Sequence, residues 1–189
     1  MADVYIIGSY STRFQKWPDK SFKDLTREAY LGVLDDSGLD NGDEIEIAYF
    51  GNCGLGTFGQ PCIRGQVCFT PLVQEGLFPE RVPTVNVEDA CATSSVAMNG
   101  AWKDILSGQS HLAIAMGVEK TYVPDDPAAT MELFAGGIDQ LDPEVWQTHY
   151  REQGEAMGKP FETGPGRTIF MDTYAMQASH HIKKWGTTQ

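Results

Sequence analysis

The chain has 189 residues, 41% of them hydrophobic, and a formal charge of −12. That length and apolar content suffice for the core of one ordinary domain. The acidic balance argues against general binding to nucleic acid or anionic membranes, and an anionic ligand would need its own cluster of Arg and Lys. No apolar run approaches a membrane span, and the start Met-Ala-Asp-Val is not a signal peptide, so the cytoplasm is the simplest expected location.

In chain order, VYIIG at 4–8 reads as a buried first strand ending in a turn glycine. A helix is predicted over 21–38. Ser21 with Asp24 gives a capping start, Phe22, Leu25, Ala29 and Val33 keep helical spacing, and Gly38 is the stop. IEIAYFGN at 45–52 reads as the second strand, followed by a glycine-rich loop from Cys53 to Gly65. VPTVNVE at 82–88 is the third strand and HLAIAMGVE at 111–119 the fourth. Strands alternating with helices predict an α/β layered fold with a largely parallel sheet.

From Pro124 the texture changes to Pro, Gly and acidic residues as far as Arg167, with one short helix expected after Asp142-Pro143. Phe170, Tyr174, Ala178, Ile182 and Trp185 then mark an amphipathic helix, with Lys183 and Lys184 suited to its C-terminal dipole and Gly186 stopping it. The chain thus divides into an α/β part, 1–123, and a more irregular helical part, 124–189. The closing Gly-Thr-Thr-Gln resembles a turn and N-cap for a further helix, so a longer polypeptide is expected.

Four cysteines, Cys53, Cys62, Cys68 and Cys91, are too few and too scattered for a disulfide scaffold. The first three lack paired C-x2-C knuckles, so no metal site is expected, and they read as small packing residues. Cys91 differs in context. It follows the third strand and precedes a helix whose first turns, Ala-Thr-Ser-Ser-Val-Ala, carry no charge and no bulk, with Met98, Ala101, Trp102, Ile105 and Leu106 as an apolar stripe. The N-terminus of a buried helix favours thiolate and offers N–H groups to a developing oxyanion. Cys91 therefore reads either as a reactive nucleophile or as a packing cysteine. Glu88 and Asp89 oppose activation unless their side chains are turned away or paired.

The run from Gln60 to Thr121 resembles the N-terminal half of a thiolase. GQPCIRG at 59–65 is similar to that family's Gly-Gln-x-x-x-Arg segment, and VNVEDACATSS to its strand and nucleophile turn. ILSGQSHLAIAMGVEKT at 105–121 is similar to the helix end and the following Gly-Val-Glu-Lys strand. The resemblance implies a βαβαβαββ half with a mostly parallel mixed sheet, followed by part of a loop domain. It implies that Cys91 is acylated by a 3-oxoacyl-CoA, that free CoA then takes the acyl group, and that CoA is a substrate with no tightly bound cofactor. The family's remaining catalytic groups, a Gly-His-Pro histidine, a Cys-x-Gly cysteine and an Asn or His at the oxyanion, belong to a second half. His111, His149, His180 and His181 match none of them and read as exposed or locally bonded.

Ser94 stands where the family usually has Gly, which bears on acyl specificity through the space left for substrate. Trp146, Tyr150, Phe161 and Phe170 read either as loop-domain core or as a wall for a bulky acyl group. A branch that cleaves benzoylsuccinyl-CoA is one candidate home. Arg64, Arg151 and Arg167 are candidates for CoA phosphates by charge, with surface arginine as the plainer reading. The resemblance also implies a homodimer, with the loop at 53–69 reaching toward the partner, and in some members a small zinc-ribbon and OB-fold partner protein. Two other readings stand beside it. One is a non-catalytic thiolase-like acyl-binding or scaffold subunit. The other is a ketosynthase or hydroxymethylglutaryl-CoA synthase, from which the Gly-Val-Glu-Lys-Thr run and the Gln60/Arg64 segment lead away.

Overall fold

The Ser21 start and Gly38 stop produce the expected helix in the computed structural model, which describes residues 3–161 and 169–188. This is α1, Phe22–Ser37. Its capping box is complete, with Asp24 N–H donating to Ser21 Oγ and Ser21 N–H to Asp24 Oδ2, and Gly38 closes it in the left-handed region. The chain divides by its contacts into two compact units, Met1–Asp126 and Pro127–Gln189.

The first unit is α/β. After α1 come β1 (Ile47–Gly51), a 3-10 turn (Gly54–Phe58), α2 (Arg64–Gln74), β2 (Thr84–Val87), a second 3-10 turn (Ala90–Ala92), α3 (Thr93–Ser107) and β3 (Ala113–Gly117). Among the described residues the sheet has three strands in the order β2-β1-β3, all parallel, with Ala48 opposite Thr84 and Ile114. Crossover helices are what parallel neighbours require. Alternation along β1 assigns the layers. Ala48 and Phe50 enter a core with Tyr30 and Leu34 of α1 and Phe69 and Leu72 of α2. Tyr49 faces the other way, onto α3, where a Cβ at Gly100 would lie 2.3 Å from its ring and its hydroxyl donates to Asp104 at 2.8 Å.

Three expectations need correction. Residues 4–8 form no ladder, and Tyr5, Ile6 and Ile7 are exposed. The segment docks on α1 instead, where Ser9 N–H donates to Asp36 at 2.7 Å. A groove of about 480 Å³ is lined by residues 3–8 and 111–115 together with residues of α1 and α3. Second, the stripe on α3 is only partly in the core: Ala97 and Ala101 are buried, whereas Met98 and Trp102 stand exposed and line that groove. Third, the loop from Cys53 to Gly65 gives way at Arg64 to α2, a helix whose start carries no side-chain cap and which contains Pro71.

The second unit is helical: α4 (Pro127–Ala135), α5 (Pro143–Ala156) and α6 (Ile169–Trp185). Proline at its first position starts α5, which at 14 residues is longer than expected, and Gly186 follows α6 with φ at 67°. Trp146, Tyr150 and Phe161 pack ring to ring, with centroids 5.7 to 6.3 Å apart. Phe170 pairs with Phe134 instead, at 6.4 Å.

Candidate active site

Parallel strands end together, and their C-terminal ends are where open α/β sheets place their chemistry. Here β1 ends at Gly51, β2 at Val87 and β3 at Gly117, in register. The three segments that follow, Asn52–Gly54, Glu88–Thr93 and Val118–Glu119, are joined by side-chain hydrogen bonds. Glu119 accepts from the backbone of Cys53 at 2.9 Å, of Gly54 at 3.1 Å, and from Asn52 Nδ2 at 3.3 Å. Asn52 Nδ2 also donates to the Val118 carbonyl at 2.6 Å. Arg64, at the start of α2, donates to the Asn52 carbonyl.

Cys91 lies in the middle segment and is exposed. It sits within a 3-10 turn ahead of α3 rather than at the N-terminus of a helix buried on all sides, and α3 begins at Thr93 with no side-chain cap on its first N–H groups. The residue before it, Ala90, is left-handed with φ at 44°. A residue with a Cβ is rare there and costs about 1 kcal/mol or more, so surrounding contacts must hold it. They do so on both sides. Glu88 Oε1 accepts from Ala90 N–H at 2.6 Å. The Ala90 carbonyl accepts from the Thr93 hydroxyl at 2.7 Å and from the Cys53 thiol at 3.1 Å. Thr93 Oγ1 also accepts from Asp89 N–H at 2.8 Å and lies 3.1 Å from Cys53 Sγ.

These contacts answer the question for Glu88, whose carboxylate accepts from the turn's own backbone at Ala90, while Asp89 enters the turn through its backbone N–H. They also correct the reading of Cys53. It is exposed overall, but its sulfur is bonded into the turn, and desolvation raises its pKa, with Glu119 and Glu88 acting in the same direction against the Thr93 hydrogen bond. Cys62 is exposed as well, and Cys68 alone of the three is a buried packing residue, its pKa raised by burial. Sequence reasoning missed Thr93, Asn52 and Glu119. The available signal was that Asn52 and Glu119 close predicted strands and Thr93 follows the third one within the turn.

The other candidates are placed as follows. Gln60 donates to the Cys62 carbonyl at 2.6 Å, and Arg64 is spent on Asn52. Arg151 is exposed on α5, and Arg167 lies outside the described residues. Ser94 is exposed in the first turn of α3. His111 stands at the opposite edge of the sheet from Cys91, 3.5 Å from Glu46, and His149 is exposed beside Tyr150. His180 and His181 are exposed on α6. Among the described residues no three His, Cys, Asp or Glu side chains converge to hold a metal ion.

Residues 4–135 match the family described as thiolase, N-terminal domain. The chain belongs to the thiolase family. Its similarity to the acetyl-CoA acetyltransferase of Methanothermobacter thermautotrophicus is 31% identity over 100% of this chain and 42% of that protein. For the acetyl-CoA acetyltransferase of Methanocaldococcus jannaschii the identity is 30%, over 100% and 41%. The benzoylsuccinyl-CoA thiolase subunit BbsB of Thauera aromatica is 34% identical over 61% of this chain and 28% of its own length. The chain thus spans about two fifths of the length of the first two relatives. Among the described residues no helix is long and apolar enough to cross a membrane.

Proposed function

We propose that this chain carries the nucleophile of a thiolase-type acyltransferase and that Cys91 is that nucleophile. The observation that carries the reading is the position of Cys91: exposed, at the C-terminal edge of a parallel sheet, in a braced turn ahead of α3, within the stretch that matches the thiolase N-terminal domain. The Cys91 thiolate adds to the 3-oxo carbonyl of a 3-oxoacyl-CoA. The bond between C2 and C3 breaks, leaving an acyl group on sulfur and the enolate of a shortened acyl-CoA, which takes up a proton. The thiol of free CoA then attacks the acyl-cysteine, leaves as a new acyl-CoA, and its proton ends on the released cysteine. The uncapped N–H groups at the start of α3 favour the negative charge carried by the sulfur.

The groups that move these protons are proposed to belong to a second half of a longer polypeptide, the part of the acetyltransferase relatives that this chain does not span. Residues 124–189 are proposed as part of a loop domain. An aromatic or branched acyl group, of the kind named for the Thauera protein, is the narrower proposal, supported by the likeness to that protein. Relative rates with acetoacetyl-CoA and an aryl 3-oxoacyl-CoA test it. A homodimer in the cytoplasm is the proposed setting, with a small zinc-ribbon and OB-fold protein as a further partner.

The test is intact mass. The native protein bearing this sequence is incubated with an acyl-CoA and the modified peptide mapped. An acyl adduct on Cys91 is expected. A Cys91 that stays unmodified while the acyl-CoA is bound would overturn the nucleophile assignment and leave a non-catalytic acyl-binding subunit.

A further inference from the structure

The end of β1 supplies a side chain that the reaction itself does not require. Cys53 lies far from Cys91 in sequence, yet its Sγ is 3.1 Å from the Ala90 carbonyl, one residue ahead of the nucleophile, and 3.1 Å from Thr93 Oγ1, two residues after it. Its own backbone is fixed independently, since its N–H donates to Glu119 at 2.9 Å and the Asn52 carbonyl before it accepts from Arg64. A thiol anchored to one strand end therefore bonds to the turn at the next. What it holds is under strain: Ala90 is left-handed, and its carbonyl has the Thr93 hydroxyl and the Cys53 thiol as side-chain donors.

We propose that Cys53 is a positioning residue for Cys91, its thiol donating to the Ala90 carbonyl and so holding the turn in the conformation that presents the nucleophile. The role rests on Cys91 being the nucleophile, and it requires the opposite protonation state in each cysteine. Cys91 must reach thiolate to react, whereas Cys53 must keep its proton to donate. Desolvation at the turn, with Glu119 and Glu88 nearby, favours the protonated Cys53. Two thiols at one turn are thereby set to different tasks.

The experiment compares Cys53→Ala, Cys53→Val and Cys53→Ser in the native-length protein bearing this sequence. Valine keeps bulk without a donor; serine keeps a donor. Two quantities are read: the rate of Cys91 carbamidomethylation by iodoacetamide, mapped by peptide mass, and kcat and KM for thiolysis of acetoacetyl-CoA. Losing one hydrogen bond at the turn is expected to slow Cys91 alkylation and lower kcat about fivefold in the alanine and valine variants, with KM held within about twofold, and serine recovers most of the loss. Should alanine fail to fold, valine against serine makes the same comparison. Unchanged rates in alanine and valine would overturn the proposal, and so would equal losses in all three, which would indicate packing alone. Failure of the nucleophile assignment looks different: the parent protein then forms no acyl adduct on Cys91, whatever the variants do.

Discussion

Gly51 and Thr93 meet where β1 ends and α3 begins, and a Cβ built on Gly51 would lie 2.8 Å from Thr93 Cγ2. The contact ties the last residue of the central strand to the side chain that braces the Cys91 turn. Gly51→Ala must push Thr93 away, so we expect a loss of about 1–3 kcal/mol in stability and slower alkylation of Cys91. Chemical denaturation with the alkylation rate reads both. Unchanged values for both would mean that the contact relaxes freely.

The four cysteines should separate by environment. Cys91 is exposed in its turn, Cys62 is exposed in the loop, Cys53 is bonded into the turn with a raised pKa, and Cys68 is 1% exposed with a raised pKa. Under limiting iodoacetamide near neutral pH, peptide mapping should find Cys91 modified first and Cys68 last. Cys62 overtaking Cys91 would count against an activated nucleophile.

Tyr30 couples the stability of the fold to alkaline pH. It is fully buried, its hydroxyl donates to the Leu77 carbonyl at 2.8 Å, and burial, with Asp43 adding, pushes its pKa from 10.0 up to about 12. The folded state therefore holds a proton that the unfolded state releases as pH rises through 10. Stability is fully present below that pH and is lost between about 10 and 12, by on the order of 2 kcal/mol. Denaturation midpoints across this range should fall with pH, and Tyr30→Phe should flatten that part of the slope.

The core under the sheet contains a stacked aromatic pair. Phe69 and Phe78 lie with centroids 4.3 Å apart, and Phe50 meets Phe69 edge-on at 5.5 Å. Phe69 is 2% exposed, so Phe69→Ala should leave a cavity and cost about 3–5 kcal/mol by denaturant unfolding. A loss below about 1 kcal/mol would mean that α2 collapses onto the sheet.

At the start of α1, Ser21→Ala should cost about 1 kcal/mol, because it removes the acceptor for Asp24 N–H. The Ser21 hydrogen bonds hold the Asp24 carboxyl below its ordinary value. The charge-assisted part of the cap is therefore present above the unfolded carboxyl pKa and is lost as pH falls through the folded one. The difference between parent and variant should shrink on acidification.

Much of the molecule was legible locally. The capping box and Gly38 bound α1, alternating strands gave the α/β class, and the small residues after Cys91 marked a strand-to-helix turn. Such features depend on neighbours within a few residues, which a sequence displays directly. The start of α2 was not legible, since it follows a left-handed Ile63 with no side-chain cap and contains a proline. Nor was the fate of residues 4–8, whose apolar pattern suits a strand but whose backbone gains no ladder partner here. Cys53, Thr93 and Glu119 are separated by tens of residues and form one cluster only because three parallel strands end at the same edge. The sequence by itself determined α1, the three strands of the sheet, the helix after Cys91 and which cysteine stands at the strand-to-helix turn. Only the tertiary structure decided which distant side chains brace that turn, because strand order and register are set by long-range packing rather than by any local pattern.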